Sequence, residues 1–144
     1  MKIALITDQH LDGRKGNINF WNYFQKFYDN IFFPTLEKEG ISTIIDLGDT
    51  FDNRKSMDFN TFNRITENYF KRLEDYKVHM ILGNHCTYYK NTNKINSPEL
   101  LLEQYKNINI YASPEEITLG SKKFLLMPWI NKAVSYTHLR AHET

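Results

Sequence analysis

Residues 44–54 read IIDLGDTFDNR, and this stretch decides how the rest of the chain is interpreted. It begins inside a short apolar, β-branched run, residues 41–47, which ends abruptly at Gly48-Asp49. A run of this length and composition predicts a buried strand of a parallel sheet that opens into a loop. Ligands of open α/β proteins gather beyond the carboxyl ends of such strands, which makes Asp49 a candidate functional residue. Gly and Asp also favour ordinary turns, so this pair alone does not decide between a turn and a site.

Two further predicted strands end in the same way. Residues 2–7 run into Asp8-Gln9-His10, and residues 78–82 run into Gly83-Asn84-His85. If the strands are parallel neighbours, carboxylate, imidazole and amide donors meet at one edge of one sheet. That mixed oxygen and nitrogen set suits Mn, Fe or Zn rather than a soft thiolate site. Asp49, between the other two clusters, can give one oxygen to each of two ions, which lie roughly 3.5–4 Å apart in two-metal hydrolases.

The three clusters together resemble a known family. Asp8-x-His10, Gly48-Asp49-x-x-Asp52 and Gly83-Asn84-His85 are similar in order and separation to the first three motifs of the calcineurin-like metallophosphoesterases. Among these, the chain most resembles the SbcD-type nucleases, the nuclease subunits of double-strand-break repair complexes. The Phe51-Asp52-x-Arg54 continuation and the later Met127-Pro128-Trp129 are similar to the phage recombination-endonuclease branch.

The resemblance implies a fold and a site. The fold is α/β, a calcineurin-like α/β/β/α sandwich, of which residues 1–132 would be the incomplete N-terminal portion. The cofactors implied are two divalent metal ions, Mn in preference to Fe or Zn. Asp49 would bridge the two ions, and His85 would stand at the leaving group as the catalytic proton donor. The implied metal ligands are Asp8, His10, Asp49 and Asn84.

The function implied is a metal-dependent phosphodiesterase acting on DNA, an exo- or endonuclease subunit of a double-strand-break repair or recombination complex. The implied partners are DNA and an SMC-like ATPase subunit, and a homodimer is a further expectation for the full-length protein. The first three motifs also occur in metallophosphatases, so an enzyme for a small phosphoester or nucleotide is one alternative. A non-catalytic DNA- or ATPase-binding subunit with a decayed site is the other.

Two residues after the central Gly-Asp pair have open roles. Asp52 is interpreted as orienting a metal ligand or capping a helix rather than binding metal. Arg54 is a candidate contact for a substrate phosphate, because a guanidinium fork matches phosphate oxygens. A surface ion pair explains Arg54 equally well.

Three positions depart from the family pattern or invite over-interpretation. Relatives generally have Asp or Glu after Gly-Asn-His, whereas this chain has Cys86, a weak hydrogen-bond partner that leaves His85 with less support. A zinc ligand role for Cys86 lacks a second thiol. Asp12 stands where relatives usually have Gly, and a turn residue is favoured over a third carboxylate near the metals. His79, inside an apolar strand, is predicted to be a core residue.

Composition predicts a soluble globular domain without membrane association. The chain has 144 residues, of which 41% are hydrophobic, 15% aromatic and 24% charged. A net charge of +1 means that the chain lacks the excess of basic residues typical of nucleic-acid-binding proteins. The single cysteine excludes an internal disulfide. No apolar run reaches the length of a membrane span, and Met1 leads directly into the first strand. The expected location is therefore the cytoplasm, that of the host if a phage encodes the protein.

Apolar and aromatic residues at helical spacing predict two helices that pack on the sheet. The first is expected to break near Phe33, because a proline follows, and its stripe consists of Phe20, Phe24, Phe27, Ile31 and Leu36. The second lies between residues 53 and 75, and its stripe consists of Phe62, Ile65, Tyr69, Phe70 and Leu73. Farther along, residues 88–96 predict a polar loop, Ser97 a helix cap, and residues 116–127 a hairpin.

The end of the chain does not continue the family pattern. The family has further histidine ligands after later strands, but only His138 and His142 follow the third motif, and no Gly-His pair occurs. Residues 133–144 are therefore predicted to be a non-native tail on a truncated reading frame. The alternative is that His138 and His142, four residues apart on a helix, complete the metal site. With only part of the ligand set, the fragment is expected to bind metal weakly and to be slow or inactive.

Overall fold

The computed structural model describes residues 1–131. Its strands are β1 (Ile3–Ile6), β2 (Thr43–Asp46), β3 (Lys77–Ile81), β4 (Thr87–Tyr89), β5 (Thr92–Asn96), β6 (Ile108–Tyr111), β7 (Glu115–Leu119) and β8 (Lys122–Leu126). Its α-helices of five residues or more are α1 (Ile18–Phe27), α2 (Phe33–Glu39), α3 (Phe59–Asn68) and α4 (Ser97–Leu101). Four strands form a parallel sheet in the order β1-β2-β3-β6, while β4–β5 and β7–β8 are separate antiparallel hairpins. The predicted α/β class is confirmed.

Strand β2 lies inside the sheet, between β1 and β3, and all its residues are buried. Ile44 packs into the main core with the helices, whereas Ile45 packs with Tyr111 and Leu126 on the opposite face. Burial on both faces is the reason that this strand reads as a continuous apolar run. The strand is shorter than predicted, although the Leu47 N–H still donates to the β1 carbonyl of Ile6 at 2.8 Å.

The first helical segment buries a different face from the one predicted. A π-helical turn, Tyr28–Phe32, joins α1 to α2 where a break near Phe33 was predicted, and the backbone stays right-handed helical through Phe33, so the helix widens there rather than breaks. The wider π turn rotates the following residues about the helix axis. Ile31, inside this turn, is 56% exposed, and Phe27, which precedes the turn, is 40% exposed, so the predicted stripe is wrong at these two positions. The residues buried in their place are Trp21, Tyr28, Phe32 and Phe33.

The second helical segment follows the prediction more closely. Asp58 caps α3, and its carboxylate accepts a hydrogen bond from the Thr61 N–H at 2.8 Å. A loop precedes this cap, so the helix is shorter than the segment 53–75, and a 3₁₀ turn, Phe70–Leu73, follows it. The predicted stripe residues that are fully buried are Ile65, Tyr69, Phe70 and Leu73.

The last part of the described chain contains two wrong predictions and one correct prediction. Residues 88–96, predicted as a loop, form most of the β4–β5 hairpin. Asn96 rather than Ser97 caps α4, because the Asn96 side chain accepts from the Glu99 N–H at 2.9 Å. The β7–β8 hairpin is confirmed, with Gly120 at a φ of 61° in its turn. Within residues 1–131, helices fall short of the length and apolarity that crossing a bilayer requires.

Candidate metal centre

Parallel pairing brings the loops after β1, β2 and β3 to the same edge of the sheet. The first two loops remain hydrogen-bonded beyond the strands: the Asp8 N–H donates to the Gly48 carbonyl at 2.9 Å, and the His10 N–H donates to the Asp49 carbonyl at 3.0 Å. Asp8, His10 and Asp49 all have positive φ, at 52°, 45° and 52°. Such backbone costs energy in residues other than Gly, and it clusters at functional sites.

The side chains at these positions converge. Asp8, His10 and Asp49 each offer a donor atom, and these three atoms lie within 4.8 Å of one another. The His10 Nε2 is 3.8 Å from Asp8 Oδ1. Asn84, which begins a short 3₁₀ turn after β3, lines a groove of about 440 Å³ together with Asp8 and Asp49. The structure therefore brings together all four predicted ligands at one edge of the sheet.

The Asp49 side chain connects the loop after β2 to the loop after β3 by a hydrogen bond. Its Oδ1 accepts a hydrogen bond from the His85 N–H at 2.9 Å. Gly83 allows this approach, since a Cβ there would lie 2.0 Å from Asp49 Oδ1 and 2.5 Å from the Asp49 nitrogen. The glycine is thus required by close packing against the carboxylate.

His10 and His85 are oriented by Asp52. The Asp52 Oδ1 is 3.0 Å from His10 Nδ1, at an angle too oblique for a hydrogen bond, which turns Nε2 toward Asp8. The Asp52 backbone carbonyl is 3.0 Å from His85 Nδ1, and because a carbonyl only accepts, Nδ1 carries the proton in this contact. The two imidazole rings meet edge to face, with centroids 5.0 Å apart. Asp52 thus lies where a carboxylate that orients a histidine ligand is expected.

The donor set fits divalent cations of the Mn, Fe and Zn class. Carboxylate, imidazole and amide oxygen donors are the types these ions accept, and the donors sit on loops fixed by backbone hydrogen bonds. His10 Nδ1 is buried beside the Asp52 carboxylate without a hydrogen bond, and Nε2 is the ring nitrogen that faces Asp8, where a cation would bind.

Arg54 and Cys86 stand apart from the donor cluster. The Arg54 Nη1 donates a hydrogen bond to the Thr87 carbonyl at 3.4 Å, so this guanidinium contacts the backbone of the residue that follows Cys86. Cys86 is fully buried, and burial raises the pKa of its thiol, which favours the neutral form. In the part of the chain that the structure describes, Cys86 joins no cluster of three metal-binding groups.

Two histidine predictions have different outcomes. His79 is buried in β3, and its Nδ1 is 2.7 Å from the Tyr111 hydroxyl, as expected of a core histidine. Burial lowers the pKa of this imidazole. His138 and His142 lie outside the described residues, as does the whole predicted tail 133–144.

Asp46 is a site-supporting residue that the sequence argument missed. It is buried at the end of β2, where its Oδ1 accepts from the Gly48 N–H at 2.9 Å. Its Oδ2 accepts from Thr50 Oγ1 at 2.8 Å and from Gln9 Nε2 at 2.9 Å. Gln9 accepts in turn from the Tyr28 hydroxyl at 2.8 Å. One carboxylate thereby cross-links the loops that carry Asp8, His10 and Asp49.

Burial raises the pKa of Asp46 from its ordinary 3.8 to about 7, against the opposing effect of its three hydrogen-bond donors. The signal in the sequence was a carboxylate inside an otherwise apolar strand. Such a residue is almost never fully buried without partners.

Replacing Gly83 with Ala is predicted to damage the site by steric displacement of Asp49. The φ of Gly83 is −91°, which alanine adopts without strain. The effect of the substitution therefore comes from the steric clash of the added methyl group with Asp49. We expect Mn²⁺ affinity, measured by isothermal titration calorimetry, to fall by about tenfold or more, as for other residues that orient metal ligands.

Gly40→Ala is the matched control for this substitution. Gly40 has a φ of 64° and no atom within 4 Å of an added Cβ. Its replacement should cost about 1–2 kcal/mol in the free energy of unfolding, for backbone reasons, without changing Mn²⁺ affinity. Equal losses of affinity in both variants would contradict the role assigned to Gly83.

Replacing Asp46 with Asn is predicted to flatten the pH dependence of stability. Because the folded-state pKa lies above the unfolded value, the folded chain holds a proton between about pH 4 and pH 7 that the unfolded chain has lost. The free energy of unfolding of the unmodified chain should therefore fall as pH rises through this window, by up to about 4 kcal/mol. Urea unfolding across the window measures both slopes, and equal slopes would contradict the assignment.

Comparison with known proteins places the site in a family. Residues 1–138 match the family of calcineurin-like phosphoesterases. The chain is also 34% identical over 96 residues to exonuclease subunit 1 of enterobacteria phage T4. That alignment covers 65% of this chain and 28% of the phage protein, so the chain spans less than a third of the length of this relative. On the family match, the resemblance predicted from the three strand-end motifs is confirmed, and the chain belongs to the calcineurin-like phosphoesterase family.

Proposed function

We propose that this chain forms part of a metal-dependent phosphodiesterase that acts on DNA. The observation that supports this most strongly is the convergence of Asp8, His10 and Asp49, with donor atoms within 4.8 Å, beside Asn84 and His85. Family membership supports phosphoester hydrolysis in general. The similarity to a phage protein named as an exonuclease subunit favours a nucleic-acid substrate within that general class.

In the proposed mechanism, Asp8, His10, Asp49 and Asn84 would hold two divalent ions. A bound pair supplies charge neutralisation at the phosphoryl oxygens and an acidified water as nucleophile. Mn²⁺ is the proposed identity, and Fe²⁺ or Zn²⁺ suits the same donors. Asp52 keeps the His10 ring turned so that Nε2 faces the Asp8 carboxylate.

His85 handles the proton of the leaving group. With Nδ1–H held on the Asp52 carbonyl, the protonated ring presents its Nε2–H away from that contact. When the phosphorus–oxygen bond breaks, its electron pair stays on the leaving oxygen, which takes the proton from Nε2. The water that attacks phosphorus supplies the new oxygen, so the products are a phosphomonoester and an alcohol.

Exposed aromatic and basic side chains offer a surface for a nucleic-acid strand. Trp129 is 44% exposed and lines the groove that contains Asp8, Asp49 and Asn84. An exposed indole offers a stacking face to a base. In a second groove, lined by Arg54, Lys55 and Tyr88, the Lys55 Nζ lies over the Tyr88 ring at 5.4 Å, and Arg54 is proposed as a phosphate contact. This local placement supports DNA binding more than the net charge of +1 does.

The partners belong to the same proposal. The phage relative is named as a subunit, which supports a role for this chain's whole protein within a complex. The proposed second component is an SMC-like ATPase, and a homodimer and a cytoplasmic location remain predictions. The domain boundary at residue 132 also remains a prediction, while the family match extends to residue 138. For residues 1–144 alone we propose weak metal binding and slow turnover.

The proposal predicts that residues 1–144, in excess over substrate, cleave an end-labelled DNA duplex slowly with added Mn²⁺ and not without a divalent cation. Chelation with EDTA should abolish cleavage. Asp49→Asn should lower the rate by about a hundredfold or more, because the bridging charge is lost. Asp75→Asn, at an exposed carboxylate in a distant turn of the chain, is the matched control and should leave the rate unchanged.

A nucleoside monophosphate assayed in parallel separates the alternatives. Faster release of phosphate from the nucleotide than cleavage of DNA would replace this proposal with a small-phosphoester phosphatase. Bound Mn²⁺ without hydrolysis of either substrate would indicate a non-catalytic subunit.

A further inference from the structure

Asp12 has a buried carboxylate whose partners are all backbone groups. It is 4% exposed and follows His10 by two residues. Its Oδ1 accepts from the Asp52 N–H at 2.5 Å, and its Oδ2 accepts from the Asn53 N–H at 3.0 Å. No Lys, Arg or His of residues 1–131 forms a salt bridge with it. The expectation of a simple turn residue is therefore incomplete, since Asp12 also joins two loops.

The segment that Asp12 holds is the one that touches both site histidines. Asp52 places its carboxylate beside His10 Nδ1 and its backbone carbonyl beside His85 Nδ1, each at 3.0 Å. Asn53 then continues the loop, and its Oδ1 accepts from the N–H groups of Lys55 and Ser56. The position of the Asp52 carbonyl is thus set largely by the two bonds to Asp12.

The residue after His85 does not provide this support. Cys86 is a buried, neutral thiol, which is a weak hydrogen-bond partner. Within the described chain, the hydrogen bond made by the His85 ring is the one with the Asp52 carbonyl. The orientation of His85 therefore depends on the loop that Asp12 anchors.

We propose that Asp12 is a positioning residue for His85, acting through the Asp52 backbone. By fixing the Asp52 carbonyl, it holds the His85 proton on Nδ1 and keeps Nε2 aimed at the reacting phosphate. Asp12 does not act as a further metal ligand, because both of its oxygens are occupied by backbone N–H groups and it joins no donor cluster. The catalytic part of this inference rests on the proposed function, whereas the positioning part does not.

The positioning part is tested by nitrogen-15 NMR of histidine-labelled residues 1–144 without metal, at a pH where the imidazoles are neutral. His85 signals are assigned by comparison with His85→Gln. The unmodified chain should show His85 with the proton on Nδ1. Asp12→Ala, which removes both acceptors, should shift His85 to a mixture of tautomers, and Asp12→Asn, which keeps one acceptor oxygen, should shift it less.

Asp58→Ala is the matched control for this measurement. It also deletes a carboxylate that accepts a backbone N–H in the next loop, yet it leaves the Asp52 bonds intact. His85 should keep its tautomer in this variant. An unchanged His85 in folded Asp12→Ala, or in Asp12→Asn if the alanine variant does not fold, would overturn the inference, as would an equal shift in Asp58→Ala.

The catalytic part is tested by comparing leaving groups with the same variants and Mn²⁺. Proton donation matters for the alkoxide that leaves from DNA and little for p-nitrophenolate. Asp12→Ala should therefore lower kcat on DNA by about tenfold or more with KM unchanged, and change cleavage of bis(p-nitrophenyl) phosphate by less than about threefold. Equal losses on both substrates would overturn the positioning of a proton donor.

The two proposals fail separately. If the unmodified chain hydrolyses neither substrate while its His85 tautomer responds to Asp12, the proposed function fails and the positioning role stands. If the unmodified chain cleaves DNA but the His85 tautomer is unchanged in the Asp12 variants, the positioning role fails and the proposed function stands.

Discussion

The parallel pairing of β1, β2 and β3 is the constraint on which the rest of the structure depends. It obliges three loops to leave the sheet at the same edge, within hydrogen-bonding distance of one another. In the loops after β1 and β2, the backbone of Asp8, His10 and Asp49 has a positive φ, a conformation that costs energy in each of these residues. Such a conformation persists only because the surrounding hydrogen bonds determine it, and it directs three donor side chains to a common point.

Two buried carboxylates stabilise this edge without being proposed as ligands. Asp46 lies beneath the loops and joins the β1 and β2 loops through Gln9, Thr50 and the Gly48 N–H. Asp12 lies beside them and joins the β1 loop to the segment that begins at Asp52. Both are costly to bury and both are satisfied by hydrogen bonds, so the removal of either one leaves buried donors without partners. We infer that these two carboxylates are buried, despite the cost in free energy of folding, because their hydrogen bonds fix the positions of the site loops.

The sequence was sufficient for features that depend on local pattern. The apolar run at residues 41–47 and the runs at residues 2–7 and 78–82 predicted the parallel strands, because fully buried strands are apolar on both faces. The strand-end motifs then predicted where Asp8, His10, Asp49 and Asn84 would meet, since parallel strands share an edge. The hairpin at Gly120 also follows from local rules.

Features that depend on contacts between distant residues were missed. The bond from Asp12 to the Asp52 N–H spans 40 positions, and the bond between Gln9 and Asp46 spans 37. No local propensity encodes such pairs, so Asp12 was interpreted as a turn residue and Asp46 received no role. The π turn at Tyr28–Phe32 was missed for a related reason, since tertiary packing of Tyr28 and Phe32 decides which face is buried.

The central claim is that three strand ends together hold a pair of divalent ions bridged by Asp49. The most direct measurement is electron paramagnetic resonance of residues 1–144 titrated with Mn²⁺, together with Asp49→Asn and the Asp75→Asn control. The account predicts an exchange-coupled spectrum of two ions in the unmodified chain and in Asp75→Asn, and its loss in Asp49→Asn. Spectra of isolated ions throughout, or coupling that survives in Asp49→Asn, would contradict it.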